Sequence, residues 1–312
     1  MRMGNMLFVV NPRSGKAHIK NRLLGILDRF IKAGWEVQIH LTQAPKDAVR
    51  VVKERGGQMD MVVCSGGDGT LSETIAGMME IEDKPVLGYI PSGSTNDFAS
   101  SLRISSNVSE ALETVLGGEK RAIDIGRFCD SQYFVYVAGF GAFTEVSYMT
   151  PQGKKNLLGH QAYMIEGVKS LTNLRSYYMK VEAEDISLEG EFIFGMITNT
   201  ISVGGFKGLV TQDVALDDGL FEVLMIRTPK TPMDFSNIVS YMFLREEQNE
   251  YVHKFKTSWL HIESGEPVDW VLDGEFGGSH REVTVKNLSK QIEIMAGTAK
   301  KVEKCISVVY NE

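Results

Sequence analysis

The chain has 312 residues, 33 Lys plus Arg against 40 Asp plus Glu, a formal charge of −7 and 43% hydrophobic residues. At roughly 100–200 residues per domain, this suggests about two packed domains and excludes a disordered or collagen-like chain. No stretch approaches the ~18 apolar residues of a membrane span, and a net acidic chain is a poor nucleic-acid binder.

In chain order, the first third alternates short β-rich runs with helical patterns, which predicts a parallel sheet with crossover helices. Leu7 to Val10, Trp35 to Leu41, Met61 to Cys64, Val86 to Ile90 and Arg121 to Ile125 read as strands. Asn21 to Ala33 places Leu23, Leu24, Leu27, Phe30 and Ile31 on one helical face, and Asp47 to Arg55 and Leu71 to Met79 read similarly. After about residue 126 the rhythm changes to longer β segments separated by Gly and Asp-Gly turns. The candidates are Tyr133 to Val137, Glu191 to Thr200, Leu220 to Arg227, Val252 to Ile262, Pro267 to Leu272 and Glu282 to Lys286, with helices near Ala162 to Leu171 and Pro232 to Phe243. The expected fold is α/β: an N-terminal open parallel-sheet domain over 1–126, completed in one reading by 297–312, then a C-terminal antiparallel β-sandwich over 127–296. Function should sit between them.

Three motifs follow predicted strands. Ser65-Gly66-Gly67-Asp68-Gly69-Thr70-Leu71-Ser72-Glu73 joins a strand to a helix. Its glycines let backbone approach a ligand closely, and the helix start offers N–H groups to an anion. An Asp among them would repel phosphate unless Mg²⁺ bridged the two, so the loop points to a nucleotide with metal. The plainer reading is a tight turn with Thr70 as helix N-cap. Asn11-Pro12-Arg13-Ser14-Gly15-Lys16 lacks the spacing of a P-loop and reads equally well as a strand-to-loop turn. Pro91-Ser92-Gly93-Ser94-Thr95-Asn96-Asp97-Phe98-Ala99 suits phosphate oxygens, a metal-bound water or simple capping. Their shared position outside the carboxyl ends of strands is where open α/β sheets bind ligands. Asp217-Asp218-Gly219 and Asp273-Gly274-Glu275 carry acids, and Asp-Gly is also a strong hairpin signal.

Asn-Pro-x-Ser-Gly, Gly-Gly-Asp-Gly-Thr and Pro-x-Gly-Ser-x-Asn-Asp, in this order, resemble the diacylglycerol kinase catalytic family, especially its soluble bacterial lipid kinases. The similarity extends through Asp124-Ile125-Gly126, Leu216-Asp217-Asp218-Gly219-Leu220-Phe221 and Leu272-Asp273-Gly274-Glu275. Gly-Gly-Asp-Gly alone also occurs in NAD kinases and phosphofructokinases; the later motifs separate them. Ser94 stands where the family usually has Thr, Ser72 where it often has Asn, and Tyr136 to Glu145 lacks the Asn and Asp often found there.

The resemblance implies an NAD kinase-like or phosphofructokinase-like ATP domain and a β-rich domain through which lipid reaches the cleft. It implies that Asn11, Ser14, Thr42, Gly66, Gly67, Asp68, Gly69, Thr70, Leu71, Ser72, Ser94 and Asn96 hold ATP. Asp68, Asp97 and Asp124 would complete an acidic network around metal and phosphates. Mg²⁺ would sit on the side chain of Asp218 and the carbonyls of Ala215 and Leu220, and Glu275, beside Asp273, would accept the substrate proton. That chemistry is sound in its own right, because a hydroxyl is a poor nucleophile and phosphoryl transfer needs positioning, charge neutralisation and a proton acceptor.

The expected function is an ATP-dependent lipid kinase acting on a diacylglycerol-like lipid. The alternatives are a soluble-metabolite kinase, supported only by the Gly-Gly-Asp-Gly loop, and a non-catalytic nucleotide sensor, against which Asp218 and Glu275 together argue. Three cysteines without metal-ligand spacing and Met6 to Val10, too short for a signal-peptide core, suggest a cytoplasmic protein with reduced thiols. Charge distribution refines the partners. Residues 1–60 balance at +6 and the other 252 at −13, while Lys154, Lys155, Lys169, Arg175 and Lys180 against Glu166 give 151–180 a local +4. That island suits either transient contact with the anionic inner membrane surface, at roughly 1 kcal/mol per basic residue, or a solvated face. No nucleic-acid partner is expected, and a homodimer stays open.

Overall fold

The computed structural model describes residues 4–15, 18–94, 96–141, 175–200, 202–203, 206–207, 214–244 and 249–298. The expected helix near Ala162 to Leu171, residues 299–312 and most of the basic island lie outside them. Strands β1 (Gly4–Val10), β2 (Trp35–Leu41), β3 (Met61–Gly66) and β4 (Val86–Pro91) pair in parallel in the order β4-β3-β1-β2. β1, β3 and β4 are buried along nearly their whole length, as continuous apolar runs require when both sheet faces are covered. Helices α1 (His18–Lys32), α2 (Asp47–Arg55) and α3 (Asp68–Met79) make the crossovers, and the short α4 (Asp97–Ser101) follows β4. Helix α5 (Val108–Gly117) was not expected from periodicity. Asn107 caps it by accepting the Ser109 N–H at 2.9 Å, and it buries Ala111, Leu112 and Val115.

The remaining strands are β5 (Glu119–Phe128), β6 (Gln132–Phe134), β7 (Val137–Gly141), β8 (Tyr177–Ala183), β9 (Ser187–Thr198), the short β10 (Ser202–Val203) and β11 (Phe206–Lys207), β12 (Phe221–Arg227), β13 (Val252–Thr257), β14 (Trp259–Leu272) and β15 (Glu275–Ala296), with α6 (Pro232–Leu244) before β13. β15 pairs antiparallel with β14 and β5, then touches β4 in parallel at Ile294 and Leu87, so one sheet path runs from β13 to β2. β7 and β8 share a single lane between β9 and β14. Gly141 at the end of β7 pairs with Phe194, and Tyr177 at the start of β8 pairs with Phe192.

Two main cores follow. One gathers β1, β3, β4 and their helices with Ile123, Ile125 and the end of β15, Ile292 to Ala296. The other lies within the antiparallel sheet, which curls until Phe134 of β6 stacks on Phe221 of β12 with ring centroids 5.4 Å apart. Such pairs add about 0.5–1.5 kcal/mol to the area they bury. Along β5 the core changes between Ile125 and Phe128, while Val135 and Tyr136 pack back into the first core. The end of β15, Ile292 to Ala296, joins the first core, and 299–312, in the segment expected to complete that domain, lie outside the described residues. Cys64 is inert at the centre of β3, where burial pushes its thiol up to about 12. No helix among the described residues is long and apolar enough to cross a membrane.

Four expected strands differ. Tyr133 to Val137 divides into β6 and β7, because the N–H groups of Val135, Tyr136 and Val137 leave the ladder for the carboxylate of Asp273. Val252 to Ile262 breaks at Ser258, and its second half merges with Pro267 to Leu272 into β14. Glu282 to Lys286 is the middle of β15, which passes an irregularity near Lys290, a left-handed residue with φ of 55°.

Candidate active site

Three loops meet at the carboxyl ends of β1, β3 and β4. A Cβ at Gly93 would lie 2.5 Å from the Gly67 Cα, and one at Gly15 would lie 2.1 Å from the Ser92 carbonyl oxygen, so the three backbones touch where only glycine permits it. The Asn11 side-chain amide donates to Thr70 Oγ1 at 3.0 Å, and its carbonyl oxygen accepts the Arg13 N–H. Ser14 Oγ faces Gly67, and Thr42 reaches the same edge by donating its N–H to the Val10 carbonyl at 2.9 Å. Gly66 is forced by Thr70, whose Cβ would stand 2.3 Å from any side chain there. Thr70 is not the helix cap: α3 begins after Gly67, no side chain caps it, and the space beside Gly69 is open. A first turn without a side-chain cap can offer backbone N–H groups to an anion. Leu71 is buried beneath it, and Ser94 is exposed at its rim.

Several of the expected ligands turn out to hold these loops together. Asn96, at φ 54°, accepts the Gly93 N–H and donates to the Gly93 carbonyl, both at 2.9 Å. Asp68 accepts the N–H groups of Asp97 and Phe98 at 3.1 and 3.4 Å, so it caps α4; burial raises its pKa and those amides pull it back. Asp97 is buried beside it. A Gly93→Ala variant should therefore separate the loops. We expect a loss of about 1–3 kcal/mol in stability by chemical denaturation, with nucleotide affinity falling about tenfold in a binding titration because the cradle is no longer pre-formed.

A second group ties the cradle to the antiparallel sheet. Ser72 donates its hydroxyl to Asp273 Oδ2 at 2.6 Å across 201 residues. Asp273 also accepts from Val135, Tyr136 and Val137, and the Tyr136 hydroxyl donates to its carbonyl at 3.1 Å. Burial pushes its carboxyl up to about 6 against the pull of Ser72 and the three amides. From Tyr136 the network continues. Thr198 Oγ1 and the Asn199 N–H both donate to its carbonyl, the Asn199 amide donates to the Asp124 carbonyl, and the Asp124 carboxylate accepts the N–H groups of Gly219 and Lys290 at 2.6 and 2.8 Å. Asp68, Asp124 and Asp273 thus each accept backbone N–H groups and tie segments of the site together. Ser72 likewise spends its hydroxyl on Asp273.

Asp273 and Gly274, at φ 49° and 88°, form the two-residue hairpin turn between β14 and β15, with Leu272 opposite Glu275. Asp273 is 6% exposed and both its oxygens accept hydrogen bonds. Glu275, one residue past the turn, is exposed. On the other turn Asp218 is exposed, its Oδ1 accepts the Leu220 N–H at 3.0 Å, and Ala215 and Leu220 flank it half-buried. Among the described residues no three His, Cys, Asp or Glu side chains gather as a metal cluster. A cation here would need one carboxylate, backbone carbonyls and water, an oxygen-only donor set that suits Mg²⁺.

The sequence reading missed Glu222 and Lys256, paired across β12 and β13 beside this turn at 2.9 Å. Burial raises the Glu222 pKa, with Lys256 opposing it. A lone acid inside the apolar run Phe221–Arg227 was the available signal. It also missed the buried hydroxyls Ser65 and Ser92, which flank the cradle without a hydrogen-bond partner.

A family model for the diacylglycerol kinase catalytic domain matches residues 5–128. A diacylglycerol kinase of Bacillus subtilis is 35% identical over 274 residues, 86% of this chain and 89% of its own length. One from Staphylococcus saprophyticus is 31% identical over 96% of this chain and 97% of its own. Among solved structures, a putative diacylglycerol kinase from Bacillus anthracis superposes with a TM-score of 0.80 at 23% identity, covering 96% of this chain and 97% of that one. An NAD kinase from Archaeoglobus fulgidus in complex with ATP shares the fold more distantly, with a TM-score of 0.53 at 12% identity over 97% and 98% of the two chains. The chain belongs to the diacylglycerol kinase family and is an enzyme of that lipid-kinase class.

Proposed function

We propose that the enzyme transfers the γ-phosphoryl group of ATP to the free hydroxyl of a diacylglycerol-like lipid, working as a peripheral protein at the cytoplasmic membrane face. The observation that carries this reading is the 2.6 Å bond from Ser72 to Asp273, which fixes the uncapped start of α3 against the hairpin that carries Glu275. An anion-binding helix end and an exposed carboxylate are thereby held in one site. In this reading residues 1–126 bind ATP and 127–296 bind the lipid. Phosphate oxygens lie against the Gly67 to Gly69 amides, and the hydroxyls of Ser14, Thr42 and Ser94 complete the cradle. The acceptor hydroxyl attacks the γ-phosphorus, the bond from that phosphorus to the β–γ bridging oxygen breaks, ADP leaves, and Glu275 takes the proton. Mg²⁺ bound with the nucleotide would neutralise phosphate charge, and Asp218 with the Ala215 and Leu220 carbonyls would hold a structural Mg²⁺.

Purified protein incubated with Mg²⁺, labelled ATP and a total lipid extract should yield phosphorylated lipid by mass spectrometry, and none of a panel of water-soluble acceptors should be labelled. Transfer confined to the soluble panel would instead identify a metabolite kinase, and no transfer at all a nucleotide sensor.

A further inference from the structure

The Lys256 ammonium stands between two carboxylates, 2.9 Å from Glu222 Oε1 and 3.8 Å from Asp218 Oδ2. Glu222 is 1% exposed, between Phe221 and Val223, and lies directly opposite Lys256 in the β12–β13 register and opposite Thr198 in β9. Asp218 is on the surface of its turn and its side chain is 30% exposed. A buried carboxylate is seldom the most stable filling for such a position, even when paired with a lysine whose side chain is 34% exposed, since apolar residues of similar volume do as well or better. The pair therefore calls for a reason other than stability, and the neighbouring turn supplies one. A lysine with no buried partner would close on the exposed Asp218 and compete there with any cation.

We propose that Glu222 is a positioning residue that draws Lys256 off Asp218 and so keeps the Asp218 carboxylate available to a divalent cation. The inference rests on the reading of Asp218 as a Mg²⁺ ligand. Glu222→Gln removes the lure while preserving shape. Lys256 then pairs with Asp218, and its charge opposes an incoming cation a few ångströms away. Removing the lysine as well, in the double variant Glu222→Gln/Lys256→Met, lifts that opposition and leaves no unpaired buried charge.

The test is a Mg²⁺ titration of the thermal unfolding temperature of the full chain, which does not depend on turnover. In the wild type Mg²⁺ should stabilise, and Asp218→Asn should remove the effect. Glu222→Gln should raise the Mg²⁺ concentration for half-maximal stabilisation about tenfold, and the double variant should bring it back to the wild-type value or below. An unchanged midpoint in Glu222→Gln, or a double variant no better than the single one, would overturn the proposal while leaving the metal reading intact. A wild type whose Mg²⁺ response survives Asp218→Asn, or is absent, would remove the metal reading and this inference with it.

Discussion

Asp273→Ala should unfold at a far lower denaturant concentration than the wild type. Its carboxylate accepts the N–H groups of Val135, Tyr136 and Val137 at 2.7, 3.0 and 3.1 Å and the Ser72 hydroxyl at 2.6 Å. Alanine leaves the three amides buried with no acceptor. At about 1–3 kcal/mol for each unsatisfied donor, and with partial relaxation, the loss should be at least about 3 kcal/mol. That is a large share of the ~5–15 kcal/mol that keeps a domain folded. Asp273→Asn should fall between the two, because its amide nitrogen must face a donor.

The same carboxylate gives the stability a pH dependence of defined sign. Burial pushes its folded-state pKa up from 3.8 to about 6, so the native state holds a proton that the unfolded chain has released. This contribution is greatest below the unfolded value and is lost as pH rises through about 6. The stability advantage of the wild type over Asp273→Asn should thus shrink by about 2 kcal/mol between about pH 4.5 and about pH 7. Denaturant midpoints of both proteins at the two pH values measure it. A constant difference would mean that the four donors cancel the burial and that the carboxyl titrates at its ordinary value.

Asp273 also marks how far the sequence could be read. Helix α2 and strand β2 have the bounds that their apolar spacing gives, because each is decided by its own residues. The Asp-Gly turn is legible for the same reason: both residues need positive φ, and Asp and Gly tolerate it. The split between β6 and β7 is not local. It arises because a side chain 136–138 residues further along withdraws three consecutive amides from the ladder, and no window around Tyr133 contains that information. The acids show the same limit. Composition places Asp68, Asp124 and Asp273 near glycine turns, where metal ligation and amide capping look alike, and only the fold tells that all three meet N–H groups. Glu222 is the reverse case, a signal present in the sequence as one acid among Phe221, Val223, Leu224 and Met225 and resolved by the partner strand that brings Lys256 opposite it.

Glu275→Gln isolates the chemical step from that scaffold. The residue opens β15 immediately after the two-residue turn, and the buried Asp273 with its four donors fixes the turn, so the carboxylate is presented from a rigid support while remaining exposed. Glutamine keeps the volume and the pairing with Leu272 but cannot take a proton. Turnover with lipid should fall by about 10²–10⁴-fold, the range for losing a general base. ATP affinity should stay within about twofold, because a group that acts only as the proton moves contributes to the transition state and not to the ground-state complex. The unfolding midpoint should match the wild type, in contrast to Asp273→Ala. Glu275→Ala should recover part of its rate when formate is added, since a free carboxylate can enter the space and accept the proton. A loss below about tenfold, without rescue, would move the proton acceptor to another group and leave Glu275 as the first residue of a hairpin strand.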